Sequence, residues 1–148
     1  MSPRIAIPLL VGAALAAGCG TKCKTETPAQ VESTPGAPCT NMAPGVAVTV
    51  NLQLCPTCNQ TGATCAVDTS GVSAGQIGLD PTVEACTDST SPCGGPTPTC
   101  LASLIPCQFT SPAAAGPYTM TVYDPTTGGP LTASFVVAAG GTSQSCSF

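Results

Sequence analysis

The chain has 148 residues, with three Lys or Arg, seven Asp or Glu, no His and a net charge of −4, and this length has room for one domain. Every basic side chain lies at or before Lys24, which excludes the clustered positive charge that nucleic acid requires. The lack of His excludes Ser-His-Asp and Cys-His catalysis. With 16 Gly, 16 Pro and 11 Cys, the composition indicates a small domain whose thin apolar core needs covalent bonds.

The first eighteen residues are predicted to be a signal peptide. Residues 1–4 give a short basic start, and residues 5–17 form an apolar run of the length that secretory signals use. This run is too short to cross a bilayer comfortably. Small residues follow at Ala16, Ala17 and Gly18, as a signal peptidase requires.

The segment LAAGC, residues 15–19, resembles the lipobox of bacterial lipoproteins. The resemblance implies a diacylglycerol thioether on Cys19 and, in many bacteria, a further acyl chain such as palmitate on its amine. Two or more acyl chains anchor a protein stably, so the lipid bilayer is the expected partner. Gly20 stands where the family's inner-membrane retention signal has Asp, which favours the outer membrane or cell surface. The alternative is an ordinary signal peptide cut after Ala17 or Gly18.

Ten cysteines remain once Cys19 is set aside. In an exported chain with a thin core, an even number of cysteines predicts a framework of up to five disulfides. Each disulfide contributes about 2 to 4 kcal/mol to the free energy of unfolding, and the sequence does not fix their connectivity. The ten candidates are Cys23, Cys39, Cys55, Cys58, Cys65, Cys86, Cys93, Cys100, Cys107 and Cys146.

Residues 19–44 are predicted to be the lipidated N-terminus and an unstructured tether. From residue 20 onwards this segment shows no helical or strand periodicity and is rich in Thr, Pro, Glu and Ala, which is typical of a linker. Cys23 and Cys39 would tie the tether down if they bonded to the domain or to each other.

Residues 45–148 are predicted to form an all-β, disulfide-rich β-sandwich. Apolar and polar residues alternate over residues 45–54, as in a half-buried strand. Short strands are also expected within residues 63–86, at 63–67, 76–79 and 82–86. A hairpin is expected over residues 117–137 around the turn DPTTGGP, and a last short strand at TSQSCSF. Frequent turns between short strands favour a sandwich or barrel.

The predicted hairpin, GPYTMTVYDPTTGGPLTASFVV, is similar to the last hairpin of bacterial immunoglobulin-like domains, where Gly-x-Tyr opens the penultimate strand. On this resemblance Tyr118 corresponds to the corner tyrosine, whereas Met120 stands where antibody domains have a cysteine. The resemblance implies an immunoglobulin-like fold and carries no information about function.

Residues 86–107 place four cysteines seven residues apart. Four prolines exclude a continuous helix in this stretch, which is therefore predicted to be a loop pinned by disulfides. A rigid loop loses little entropy on binding, so it could be a recognition surface, or it could serve stability alone. One alternative function follows, a disulfide-scaffold protease inhibitor that presents residues 94–99 between Cys93 and Cys100.

Cys55 and Cys58 form a Cys-x-x-Cys pair after a predicted strand. This pattern resembles the redox motif of thioredoxin-like proteins and makes a thiol-disulfide redox protein the second alternative. The residues that follow do not form the helix that such a site needs, so structural bridging is favoured. A zinc site of four cysteines would need a second Cys-x-x-Cys pair, which the chain lacks; no metal or cofactor is predicted.

The carboxylates are predicted to be solvated turn acids, because no Lys or Arg lies near them to position a charged substrate. Those considered as a catalytic pair are Asp68, Asp80, Glu84, Asp88 and Asp124. Tyr123 is the one aromatic predicted to face outward. The sequence therefore favours a non-enzymatic, membrane-anchored surface or periplasmic lipoprotein, which acts as a structural module or binds an unknown protein or cell-envelope ligand.

Overall fold

The computed structural model describes residues 22–34, 36–55, 60–86 and 103–148. Of these, 62% lie in strands and 3% in helix, so the prediction of an all-β chain with disulfide bonds is confirmed. The predicted signal peptide and Cys19 lie outside the described residues. The strands are β1 (Cys23–Glu26), β2 (Val31–Glu32), β3 (Asn41–Met42), β4 (Ala47–Leu54), β5 (Gln60–Asp68), β6 (Gln76–Cys86), β7 (Ser103–Thr110), β8 (Gly116–Asp124), β9 (Gly129–Val137) and β10 (Ser145–Ser147).

The first sheet is built around β6. One edge of β6 pairs with β5 in an antiparallel ladder. The other edge is shared, because β8 runs parallel to its first half and β1 runs antiparallel to its last four residues. The β8–β9 hairpin and the parallel pairing of β3 with β9 complete this sheet.

The second sheet follows the same plan around β4. β7 pairs with β4 along all eight residues of the strand. The other edge of β4 is shared by β10, which runs parallel, and β2, which runs antiparallel. Both sheets are curled and open, in the shape of half a barrel.

The core is one cluster of buried side chains that come from both sheets. In β4 the predicted alternation is observed, with every second side chain buried from Val48 to Leu54. β6 alternates in the same way from Ile77 to Ala85. Full burial of a side chain of this size stabilises the fold by about 1.5 to 3 kcal/mol. The largest fully buried side chains are Phe135, Met42, Leu52, Leu54, Ile77, Leu79 and Met120.

Tyr118 and Phe135 face the core on neighbouring strands, as their positions in the sequence predicted. Their rings stack with centroids 5.6 Å apart. The Tyr118 hydroxyl donates a hydrogen bond of 3.0 Å to the Ala114 carbonyl oxygen, four residues upstream. This bond ties the β7–β8 connection to the start of β8.

The prediction of an unstructured tether is wrong for the described part of residues 20–44. β1, β2 and β3 all lie there, and each pairs with a longer strand that supplies most of its hydrogen-bonding partners. These segments are too short to show a period of their own. Disulfides from Cys23 and Cys39 hold them to the rest of the fold.

Two further predictions about strands are wrong. The strands expected at 76–79 and 82–86 are one continuous strand, β6, because Pro81 falls between the ladders to β8 and β1 and interrupts neither. The predicted loop at 86–107 ends in β7, which begins at Ser103, and residues 87–102 lie outside the described residues. β7 tolerates the exposed Pro106 because it pairs with β4 on one side only.

The strands run between two ends of the molecule. At the Cys86 end, β6 and β4 finish, β1 and β5 begin, and β8 turns into β9. At the Gly75 end lie the connections β3–β4, β5–β6, β7–β8 and β9–β10. Gly75 itself takes the left-handed conformation, with φ 75°, where the chain enters β6.

Candidate functional site

Three disulfides join strands that are far apart in sequence. They link β1 to β6, the segment before β3 to β10, and β5 to β7. The pairs, with sequence separations of 63, 107 and 42 residues, are Cys23–Cys86, Cys39–Cys146 and Cys65–Cys107. Other cysteines lie between the two bonded cysteines of each pair in the sequence. The spacing of the cysteines therefore does not show which of them are paired.

Cys55 is also disulfide-bonded, to a partner outside the described residues. Its side chain is 1% exposed at the end of β4, and its backbone N–H donates a hydrogen bond of 3.1 Å to the Gln30 carbonyl oxygen. This environment is typical of a structural bridge, since a reactive cysteine is partly exposed. The predicted residues that lie outside the described ranges are Cys19, Cys58, Cys93 and Cys100.

The residues after this cysteine give no support to the redox or zinc hypotheses. The chain continues into β5 from Gln60, and the described residues contain no helix that could lower the pKa of the Cys55 thiol. Among the described residues, no three His, Cys, Asp or Glu side chains are grouped so that they could hold a metal ion.

Gln60 connects the N-terminal strand to the rest of the Cys86 end. Its amide nitrogen donates a hydrogen bond of 3.0 Å to the Glu26 carboxylate, and its amide oxygen accepts one of 3.2 Å from the Ala29 backbone. The side chain is 9% exposed. These contacts hold the chain between β1 and β2 against the start of β5. No pattern in the sequence indicates this role, because the hydrogen-bonding partners of Gln60 lie more than 30 positions away.

Asp124 closes the β8–β9 turn at the same end of the molecule. Its carboxylate accepts hydrogen bonds from the Thr126 backbone at 3.0 Å and the Thr127 hydroxyl at 2.9 Å. Burial by itself would raise the pKa of this carboxyl, but hydrogen bonds from Thr126, Thr127 and the Val31 backbone outweigh burial and lower it below 3.8. Val31 of β2, in the second sheet, lines the same cleft as Asp124.

Asp68 lies at the start of the β5–β6 connection at the Gly75 end, as Asp124 lies at the start of the β8–β9 turn at the Cys86 end. Its carboxylate accepts a hydrogen bond of 2.8 Å from the Ser70 backbone, and this bond lowers the pKa of the exposed carboxyl. Asp68 is therefore a solvated turn acid, as predicted, whereas Asp124 bonds within a turn as predicted but is buried rather than solvated. Asp80 is not a turn acid, because it lies within β6, and Glu84 is an exposed residue of the same strand. Asp88 lies outside the described residues.

A cleft of about 460 Å³ lies beside Asp124, between β2 and the β8–β9 turn. Its walls include Gln30, Glu32, Thr126 and Phe148. The carboxylate of Asp124 already accepts hydrogen bonds from its own turn. The ionisable side chains in its lining are Glu32 and Asp124, and the Glu32 carboxylate accepts a hydrogen bond of 2.8 Å from the Gln30 amide.

The large apolar side chains that are most exposed in the described residues lie far apart in the fold. Tyr123 is 55% exposed, which agrees with its predicted outward position at the end of β8. Leu104 lies on β7 and Val136 on β9, in different sheets. Scattered apolar residues of this kind do not define an aromatic platform for sugars.

The predicted recognition loop begins and ends at the Cys86 end. Residue 86 closes β6, and Ser103 pairs with Leu54 at the end of β4. Residues 94–99, which the protease-inhibitor hypothesis invokes, lie outside the described residues. Both attachment points of this segment therefore lie at the Cys86 end, where β1 also begins.

Within the described residues, no helix has the length and apolar character needed to span a bilayer. Comparisons of the chain with protein-family models, with curated proteins and with solved structures gave no match.

Proposed function

We propose that this chain is an exported, non-enzymatic lipoprotein that is anchored in the outer membrane or cell surface through Cys19. Its folded part acts as a structural or binding module for a protein or cell-envelope ligand. Signal peptidase cleavage after Gly18 and a thioether between the Cys19 sulfur and diacylglycerol would leave the domain held to the membrane surface.

The observation that carries this proposal is the pairing of the cysteines. All seven cysteines in the described residues are in disulfides. Such complete oxidation is typical of exported proteins, because cytosolic thiols are kept reduced. With eleven cysteines in the chain, at least one has no partner within it. Cys19, directly behind the signal-like segment, is the residue whose proposed lipidation accounts for the odd number.

We further propose that the two sheets form an immunoglobulin-like sandwich. The bond from the Tyr118 hydroxyl to the Ala114 carbonyl oxygen supports this, because the tyrosine corner of that fold makes the same kind of upstream contact. The parallel ladders of β6 with β8 and of β10 with β4 depart from its antiparallel sheets. A crystal structure tests the proposal: two sheets packed face to face near −30° are expected, whereas a continuous β5–β7 ladder would make the fold a barrel.

The lipoprotein proposal is tested by the intact mass of the protein purified from native membranes and alkylated without reduction. The expected mass corresponds to a chain that starts at Cys19 and carries acyl chains, with no alkylated thiol. Cys19→Ser is the matched control and should remain unacylated. A mass without lipid in the unmodified protein would overturn the anchor. Alkylation of both Cys55 and Cys58 would instead favour the redox alternative.

A further inference from the structure

The first strand, β1, begins close in sequence to the proposed lipid anchor. Cys23, the first residue of β1, is bonded to Cys86, and only three residues separate it from Cys19. A fully extended chain covers at most about 3.6 Å per residue, so the Cα atoms of Cys19 and Cys23 are at most about 14 Å apart. A flexible tether of 25 residues would instead give a root-mean-square distance of about 28 Å.

β1 cannot separate from the domain while its disulfide is intact. All four of its residues pair with β6, from Cys23 with Cys86 to Glu26 with Val83. The hydrogen bond of 3.0 Å from Gln60 to the Glu26 carboxylate adds a contact with β5. The short linker therefore limits how far the whole fold can move from Cys19, because β1 is not a loose N-terminal arm.

The geometry points to an orientation on the membrane: we infer that the Cys86 end is the surface that lies against the bilayer, with the Gly75 end directed away from it. This inference rests on the lipidation of Cys19 proposed above. The two ends are separated by the length of β6, eleven residues, which corresponds to about 36 Å. A linker of three residues cannot bring both ends to the lipid equally often.

The basic side chains nearest the proposed anchor lie at the Cys86 end. Lys22 and Lys24 are the only basic side chains in the described residues, and both lie within five positions of Cys19. Anionic headgroups attract basic residues that flank an anchor, and the attraction falls off within a few ångströms to a nanometre. The carboxylates of Glu26, Glu32, Glu84 and Asp124 lie at the same end, so the orientation rests on the short linker and not on net charge.

The orientation also changes the role of the segment between residues 87 and 102. Because β6 ends and β7 begins at the Cys86 end, both attachment points of this segment would lie next to the bilayer. A partner in solution would then meet the four connections of the Gly75 end first.

Energy transfer to labelled lipid tests the orientation, because the chain contains no Trp. Single reporters are introduced as Glu84→Trp, exposed near the Cys86 end, and Ser73→Trp, exposed near the Gly75 end. Each acylated protein is reconstituted into phosphatidylcholine–phosphatidylglycerol vesicles that contain a headgroup-dansylated lipid. Transfer from Glu84→Trp should be several-fold more efficient than transfer from Ser73→Trp.

A matched control inserts a flexible Gly/Ser linker of 25 residues between Thr21 and Lys22. It should lower transfer from Glu84→Trp towards the value for Ser73→Trp, without a change in the folded state. Equal transfer from the two reporters in acylated, vesicle-bound protein would overturn the orientation alone. Protein that carries no acyl chains by mass and does not bind vesicles would overturn the lipoprotein proposal instead.

Discussion

The β5–β6 connection at the Gly75 end is short and is closed by local backbone hydrogen bonds, such as Gly75 N–H to the Val72 carbonyl at 3.0 Å. The Cys86 end is held by groups that are far apart in sequence: the Cys23–Cys86 disulfide and the hydrogen bond from Gln60 to Glu26. The β5–β6 connection can form as soon as its two strands pair. The contacts named at the Cys86 end require residues 23 to 86 to be in place.

The largest expected effect comes from the disulfides. Cys39→Ala with Cys146→Ala opens a bond that spans 107 residues and should lower the free energy of unfolding by about 5 kcal/mol. Urea denaturation without reductant measures this loss. Cys23→Ala with Cys86→Ala should cost less, because the four exposed residues of β1 can detach while the core persists. An equal loss in the two double variants would show that β1 unfolds only with the core.

Gly141→Ala tests the packing of the Gly75 end. A Cβ atom at this position would overlap the backbone of Met42 and Ala43, so the β9–β10 connection must move away from β3. The expected loss is about 2 kcal/mol, as for other overpacked sites, and thermal unfolding measures it. Gly129→Ala is the control, because no atom lies within 4 Å of its Cβ position. A neutral Gly141→Ala variant would mean that this contact carries little stability.

Asp124→Asn and Asp68→Asn compare the turns of the two ends. The pKa of Asp124 is lower in the folded protein than its ordinary value of 3.8. Its contribution to stability is therefore complete above about pH 4 and is lost as the pH falls through the folded pKa. Asp124→Asn should lower the free energy of unfolding at pH 7 by about 1 to 2 kcal/mol and flatten its dependence on pH below 4.

Asp68→Asn is the matched variant for this measurement. Because the Asp68 carboxylate is exposed and bonds only with Ser70 in its turn, the change should be much smaller than for Asp124→Asn. Denaturation curves at several pH values between 2 and 7 compare the two proteins. Equal pH dependence in both would contradict the role given to the hydrogen bonds that Asp124 accepts from Thr126 and Thr127.

Tyr118→Phe removes the hydrogen bond to the Ala114 carbonyl oxygen while it keeps the ring against Phe135. The expected loss is about 1 kcal/mol, measured by urea denaturation. Tyr123→Phe changes an exposed side chain and should leave the stability unchanged. Similar values for the two variants would show that the hydroxyl bond of Tyr118 does not stabilise the β7–β8 connection.

The sequence predicted the elements that are long enough to show their own alternation or that end in a recognisable turn. Alternation identified β4, and the turn DPTTGGP located the β8–β9 hairpin with Asp124 at its start. Inward and outward positions were also predicted, since Tyr118 is buried and Tyr123 exposed. These features depend on local periodicity and turn chemistry, which a single sequence contains.

The elements of the Cys86 end could not be predicted in this way. β1 and β2 have four and two residues, too few for a period, and they form because β6 and β4 offer them free edges. Gln60 and Val31 were given no role because their partners lie far away in the sequence. The ten cysteines predicted disulfides, but pairings such as Cys65 with Cys107 require the three-dimensional fold.

The partners of each described disulfide are separated by other cysteines in the sequence, and this affects the order in which the bonds can form. If the chain enters an oxidising compartment N-terminus first, Cys23 and Cys39 arrive well before their partners, and the partner of Cys39 is the third residue from the end of the chain. Oxidation in order of arrival would join neighbouring cysteines and give none of the three described bonds. The native set therefore depends on thiol-disulfide exchange after translocation, and the yield of folded protein should be limited by the isomerase capacity of the host compartment.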